Sequence, residues 1–181
     1  MTTENIEYSG NPRLTNIAQH HHTDAPSPFL TIDKEIIQSI YKTRDPFSQK
    51  YDFGHALLYA GSKNMMGAAI LCAKATLRSG AGLVTVYTET SDQLVIQIAF
   101  PEAMTSTEND FSKIINKKNS IGIGPGIEES INNKNFLKKV IAEWNGPLVI
   151  DATALSLLPE YHNNFFVKRQ KNPAILTTAR R

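Results

Sequence analysis

Regular spacing of apolar residues begins only after residue 30. Residues 1–30 are polar, rich in Asn, Thr, His and Pro, and close with Asp24-Ala-Pro-Ser-Pro28, which predicts a tail or linker. From Thr31 the segment Thr31-Ile-Asp-Lys-Glu-Ile-Ile combines an N-cap candidate, acidic residues and an apolar stripe, and predicts a helix start. His55 to Ala60 is a short apolar run between Gly54 and Gly61, the pattern of a buried strand. Met65 to Ser79 places Met66, Ala69, Ile70, Ala73 and Leu77 on one side, the pattern of a helix lying on a sheet. Leu83 to Tyr87 reads as the next strand and Asp92 to Ala99 as a short helix. Ser120 to Ile123 then runs into Gly124-Pro-Gly126, and a helix is expected from about Glu128 to Trp144. Leu148 to Asp151 and Ala174 to Thr177 read as strands.

Strands alternating with helical segments need crossover connections, and these are right-handed. The expected class is therefore α/β: a mainly parallel sheet with helices on both faces, formed by residues 31–181 behind the tail. In such sheets ligands bind at the carboxyl ends of strands, where loops meet helix N-termini. Ala60-Gly-Ser-Lys-Asn-Met-Met-Gly67, Gly124-Pro-Gly126 and Asp151 each follow a strand, so one rim should gather them. Glycines there let backbone amides approach a ligand closely. Each such turn taken singly is equally open to a role that only reverses the chain.

Charge narrows the partners. The 181 residues carry 19 basic and 17 acidic side chains, a formal net charge of +2, so no strong field for nucleic acid or an acidic membrane is implied. The pairs Lys117-Lys118 and Lys138-Lys139 lie among apolar residues at helical spacing and read as solvated helix faces. No apolar stretch reaches the roughly 18 residues needed to span a bilayer, and the polar, acidic N-terminus does not resemble a signal peptide. The single cysteine, Cys72, sits in the apolar run Ala68 to Ala75 and reads as a buried structural thiol in a reducing compartment; a cytoplasmic protein is expected. The triplet His20-His21-His22 reads as a solvated run rather than a metal site. Lys50 and Arg44 are open to phosphate contact or a surface role, and His55 is expected to be a satisfied core or edge histidine rather than a base.

Taken together and in order, Phe53-Gly-His-Ala-Leu-Leu-Tyr-Ala-Gly-Ser62, Met66-Gly-Ala-Ala-Ile70, Leu77-Arg-Ser-Gly-Ala-Gly-Leu-Val-Thr-Val86, Pro101-Glu102, Ile121-Gly-Ile-Gly-Pro-Gly126 and Leu148-Val-Ile-Asp-Ala152 resemble the ADP- or ATP-dependent NAD(P)H-hydrate dehydratase family. The resemblance runs from about Ile32 to Thr177 and implies a ribokinase-like fold. It also implies repair of NADH or NADPH that has gained water across the nicotinamide ring. In that chemistry a nucleoside di- or triphosphate, with Mg2+ as a possible companion, activates the ring hydroxyl before elimination. Hydroxide is a poor leaving group, and a phosphate ester departs as a stabilised anion. By this resemblance Ala68, beside Gly67, and the turn holding Gly124 and Gly126 line the substrate cleft. Asp151 either positions substrate or a cation-bound water, or caps the following turn, Ala152 to Leu157.

The departures from the family pattern are as informative. A Pro-His-Pro-Gly-Glu turn usually follows the strand that here is Ile175-Leu-Thr177, and this chain has Thr178-Ala-Arg-Arg181, with Ala179 where the histidine falls. Lys50-Tyr51 stands for a Lys-Gly turn, and Thr153 for a second acidic residue. The family's Gly-Thr-Gly-Asp segment, which carries the catalytic Asp and the anion hole, and its nucleotide loops have no counterpart here. No catalytic residue is therefore assigned on this chain. A frameshift or premature stop is the expectation for the change at Thr178, and the N-terminal tail resembles the link to an epimerase domain in bifunctional relatives. Three functions follow. The first is a dehydratase domain inactive by itself; the second is a dinucleotide-binding or interaction module completed by a partner or by homo-oligomer formation; the third is a fragment of a ribokinase-type small-molecule kinase.

Overall fold

The structure is a computed structural model, and it describes residues 32–88, 92–108, 110–158 and 174–177. The His20-His21-His22 triplet, Thr31 and Ala179 lie outside the described residues. The chain divides into two units, 1–46 and 47–181.

In the first unit, helix α1 (Lys34–Ile40) starts at Asp33, whose carboxylate accepts the Ile36 N–H at 2.9 Å. That bond satisfies one of the amides left unpaired at any helix start. Ile36 is buried, whereas Ile37 and Ile40 are exposed.

The second unit is one six-stranded parallel sheet. Its strands are β1 (His55–Tyr59), β2 (Leu83–Tyr87), β3 (Met104–Ser106), β4 (Ser120–Ile123), β5 (Leu148–Asp151) and β6 (Ala174–Thr177), in the spatial order β3-β2-β1-β4-β5-β6. The register pairs Tyr59 with Tyr87 and Ile123, Ile123 with Ile150, and Asp151 with Thr177. The helices are α2 (Met66–Arg78), α3 (Gln93–Ala99), α4 (Phe111–Ile115), α5 (Ile131–Glu143) and α6 (Thr153–Leu157). The α/β class with helices on both faces is as anticipated.

Strand alternation divides the core in two. Ala56, Leu58, Val84 and Val86 point to one face and pack with Met66, Ala69 and Ala73 of α2 and with Ile96 of α3. Leu57, Tyr59, Ile121, Ile123, Leu148 and Ile150 point to the other and pack with Phe136, Leu137, Val140 and Ile141 of α5. Rings strengthen this second layer: Phe136 lies 4.3 Å from Tyr59, 5.2 Å from Tyr87 and 5.5 Å from Phe111, centroid to centroid.

Several boundaries differ from the sequence expectation. Helix α5 begins at Ile131 and not near Glu128, because Ser130 is its cap and accepts the Asn133 N–H at 3.1 Å. Strand β3 and helix α4 have three and five residues, too short to impose a readable period. Lys138 and Lys139 do form an exposed face of α5. Lys117 and Lys118, by contrast, lie beyond the end of α4. Lys117 has φ 56°, and burial lowers the pKa of Lys118. Residues 153–157 form a short helix where only a turn was expected.

Candidate functional site

The strand order reverses direction between β1 and β4. From β1 the chain moves outward through β2 and β3; from β4 it moves outward the other way through β5 and β6. Right-handed crossovers then send the connections to opposite faces, and a crevice opens where the loops leaving β1 and β4 part. Residues 60–65 follow β1 and lead into α2, and residues 124–130 follow β4 and lead into α5.

These two turns are bonded to each other at the rim. The Gly61 N–H donates to the Pro125 carbonyl at 2.9 Å, and the Gly124 N–H donates to the Tyr59 carbonyl at 3.1 Å. Gly126 has φ +71°, and a Cβ on it would lie 2.8 Å from the Ala68 Cβ and 2.9 Å from the Met65 carbonyl oxygen. Only glycine combines that backbone with so close an approach. Gly124 has φ +134°, and a side chain there would overlap the backbone carbonyl of Asp151. Ala68, Gly124, Gly126 and Asp151 thus converge on one rim. Gly67 is exposed in the first turn of α2, with no heavy atom within 4 Å of the place its Cβ would take.

The start of α2 adds polarity to this crevice. Met65 occupies the N-cap position and makes no side-chain capping bond, so the first amides of a 13-residue helix are left without a side-chain acceptor. Such a terminus carries a partial positive charge and favours an anion.

Asp151 closes the neighbouring strand end. Its carboxylate accepts the Ala152 N–H at 2.7 Å, which is the local capping role, and the side chain remains half-buried. Ala152 has φ 48°, a left-handed backbone that costs a non-glycine residue roughly 1–2 kcal/mol. The turn after β4 is braced from within. Tyr59 donates its hydroxyl to the Asn133 side-chain oxygen, and the Asn133 amide donates to the Glu128 carbonyl at 2.6 Å. Thr88, fully buried, donates to the Gly61 carbonyl at 3.3 Å and ties the turn after β1 to the end of β2. Sequence reasoning missed Tyr59, Thr88 and Asn133. Asn133 alone carried a signal, a polar residue at a core-facing helix position.

Other candidates fall at the opposite edge. Lys50 lies in a 3-10 turn (Lys50–Phe53) ahead of β1, and the Gly82 N–H donates to the Phe53 carbonyl at 3.2 Å. Lys50 and the Arg78-Ser-Gly-Ala-Gly82 segment therefore sit at the amino ends of β1 and β2, away from the crevice. The segment is a structural corner, in which Gly82 lets the Lys50 carbonyl approach. His55, also at the amino edge, shares a 2.8 Å hydrogen bond with Thr85 Oγ1. Burial, and secondarily Lys118, lowers its pKa to about 4, so it is a satisfied neutral histidine. Cys72 is half-buried, and burial, with a smaller contribution from Asp151, raises its thiol pKa. A protonated thiol suits a structural role.

Among the described residues, no group of three His, Cys, Asp or Glu side chains is placed to hold a metal ion. No described helix is long and apolar enough to cross a membrane.

The family model for NAD(P)H-hydrate dehydratase matches residues 56–180. The chain is 35% identical over 134 residues to the ADP-dependent (S)-NAD(P)H-hydrate dehydratase of Lactiplantibacillus plantarum, covering 71% of this chain and 48% of that protein. A crystal structure of a ribokinase-like superfamily protein from Enterococcus faecalis superposes with a TM-score of 0.66 at 29% identity, over 72% of this chain and 48% of that one. The ADP/ATP-dependent NAD(P)H-hydrate dehydratase of Bacillus subtilis, co-crystallised with ATP/Mg2+, superposes with a TM-score of 0.59 at 27% identity, over 80% of this chain and 49% of that one. The chain spans about half the length of the curated relatives it matches, and its fold is ribokinase-like.

Proposed function

Because the chain belongs to the NAD(P)H-hydrate dehydratase family, we propose that its carboxyl rim is the substrate wall of a domain that dehydrates hydrated NADH or NADPH at the expense of ADP or ATP. Gly67, Ala68, Gly124 and Gly126 contact the dinucleotide, and Asp151 stands at the mouth of the cleft. The observation that carries this reading is the seam between the two turns. There the Gly61–Pro125 hydrogen bond and the Gly126–Ala68 approach set the uncapped start of α2 beside the crevice. A helix start without a side-chain cap carries a partial positive charge that suits a pyrophosphate.

The wall binds and orients; it does not supply chemistry. Proton removal from the ring hydroxyl and retention of the phosphoryl donor need a base and an anion hole, and neither is assigned to a described residue. The nucleotide and any Mg2+ are expected on the part of the family's domain that this chain's match does not span. Residues 1–30 are read as a link of the kind that joins an epimerase domain, and residues 31–181 as the N-terminal part of the dehydratase domain. A cytoplasmic setting and homo-oligomer formation complete the proposal.

Calorimetric titration of the full chain with hydrated NADPH tests it. Saturable binding is expected, weakened in Gly126→Val, with no restoration of reduced-nicotinamide absorbance when ADP or ATP is added. Absence of binding by the wild-type chain, or binding of simple sugars in its place, overturns the assignment. Turnover well above the spontaneous rate refutes the claim that the reactive groups lie elsewhere.

A further inference from the structure

An amide side chain buried in an apolar layer needs a reason, because taking its donor and acceptor out of water costs free energy unless both are bonded. Asn133 is such a residue. It stands in the first turn of α5, 5% exposed, on the stripe that continues through Phe136, Leu137, Val140 and Ile141. Starting the helix uses only its backbone, whose N–H donates to Ser130 Oγ at 3.1 Å. Filling the core needs only volume, which a leucine would supply. The side chain therefore serves something other than the helix or the core.

Its partners show what that is. The Asn133 amide nitrogen donates to the Glu128 carbonyl at 2.6 Å, and the Asn133 side-chain oxygen accepts the Tyr59 hydroxyl. A carbonyl can only accept, so Glu128 fixes which end of the amide it meets and leaves the oxygen for Tyr59. The backbone carbonyl of Tyr59 also accepts the Gly124 N–H at 3.1 Å. The last residue of β1 thus holds the turn after β4 at two places: Gly124 directly, and Glu128 through Asn133. No described peptide bond is cis, so the peptide joining Glu128 to Glu129 has its carbonyl and its N–H pointing opposite ways. Drawing the Glu128 carbonyl inward turns the Glu129 N–H away from the core, in the stretch that leaves β4 at the crevice. An outward carbonyl there would repel an anion, whereas an outward N–H attracts one. The Glu128 and Glu129 carboxylates are exposed, and solvent screening weakens their opposition to an anion.

We propose that Asn133, held by Tyr59, is a positioning residue of the crevice, setting the peptide after Glu128 with its N–H toward the anionic part of the bound dinucleotide. The inference rests on the dinucleotide reading and adds to it the residue that orients this part of the wall. Asn133 touches no substrate; it acts through the turn.

Calorimetric titration of the full chain with hydrated NADPH tests the role, with folding of each variant checked by circular dichroism and Trp144 fluorescence. Asn133→Leu should weaken binding on the order of tenfold, and Tyr59→Phe by roughly threefold, since it loosens the amide without removing it. The double variant should bind as Asn133→Leu does, because the Tyr59 hydroxyl acts only through Asn133. Val140→Ala, on the same face of α5, removes buried volume and destabilises the chain, yet should bind within about twofold of wild type. That control separates positioning from general loss of stability. Should Asn133→Leu not fold, Tyr59→Phe decides the matter, as it keeps the core volume. Three results overturn the positioning role and leave the dinucleotide reading standing: wild-type affinity in the folded variants of Asn133 and Tyr59, a loss in Val140→Ala as large as theirs, or losses that multiply in the double variant. A wild-type chain that binds no hydrated NADPH removes the dinucleotide reading, and this role with it.

Discussion

Replacing Gly126 with alanine probes the seam between the two turns directly. At φ +71° an alanine pays roughly 1–2 kcal/mol for its left-handed backbone. Its methyl would also stand 2.8 Å from the Ala68 Cβ and 2.9 Å from the Met65 carbonyl oxygen. Carbon atoms rest at about 3.5–4.0 Å, so the first turn of α2 must retreat by roughly 0.7 Å or more. Overpacking of that kind costs about 1–3 kcal/mol. Gly126→Ala should therefore destabilise the chain by about 2–5 kcal/mol, read from urea unfolding through the fluorescence of the single tryptophan, Trp144. Gly67→Ala is the control; with nothing within 4 Å of its Cβ position, it should be neutral or stabilising by up to about 1 kcal/mol. Ala68→Gly by itself should cost about 0.5–1 kcal/mol through helix propensity. Combined with Gly126→Ala it should recover on the order of 1 kcal/mol, because one of the two clashing carbons is gone. Strictly additive costs in that double-mutant cycle would refute the contact between the turns.

Other consequences follow from the same geometry. Tyr59→Phe removes the donor to Asn133 and leaves a buried acceptor unpaired, so a loss of about 1–3 kcal/mol is expected in urea unfolding. Ser130→Ala deletes the cap of α5 and should cost about 1 kcal/mol in the same assay. His55 is neutral in the folded chain down to about pH 4, whereas the unfolded chain takes up its proton near 6.5. Its contribution to stability is thus fully present above pH 6.5 and is lost as pH falls toward 4. With the ring only half-buried, the amount is on the order of 1 kcal/mol after solvent screening. His55→Gln should flatten the stability profile across that window, and an unchanged profile would count against the assignment.

The strands β1, β2, β4, β5 and β6 were legible along the chain almost to the residue, and so was the body of α2. Apolar alternation and helical stripes are relations between residues at most a few positions apart. That kind of information reaches neither β3, with its three residues, nor the start of α5. The start depends on Ser130 capping Asn133 while Asn133 reaches back to Glu128. Local composition also misplaced Lys117 and Lys118, which spacing alone put on a helix and the chain puts past its end.

The order and reversal of the strands, and hence the crevice, are relations between residues far apart in the chain. Glycine-bearing turns read alike whether they stand at the carboxyl or the amino edge of a sheet. Packing sends Gly124-Pro-Gly126 to one edge and Arg78-Ser-Gly-Ala-Gly82 to the other. The same long-range packing sets Gly126 against Ala68, lays Gly124 on the Asp151 carbonyl and, among the described residues, leaves Val149 partly exposed in the middle of its strand. Periodicity states which side of an element seeks a partner; which partner it meets depends on crossovers and register that close only when the whole sheet assembles.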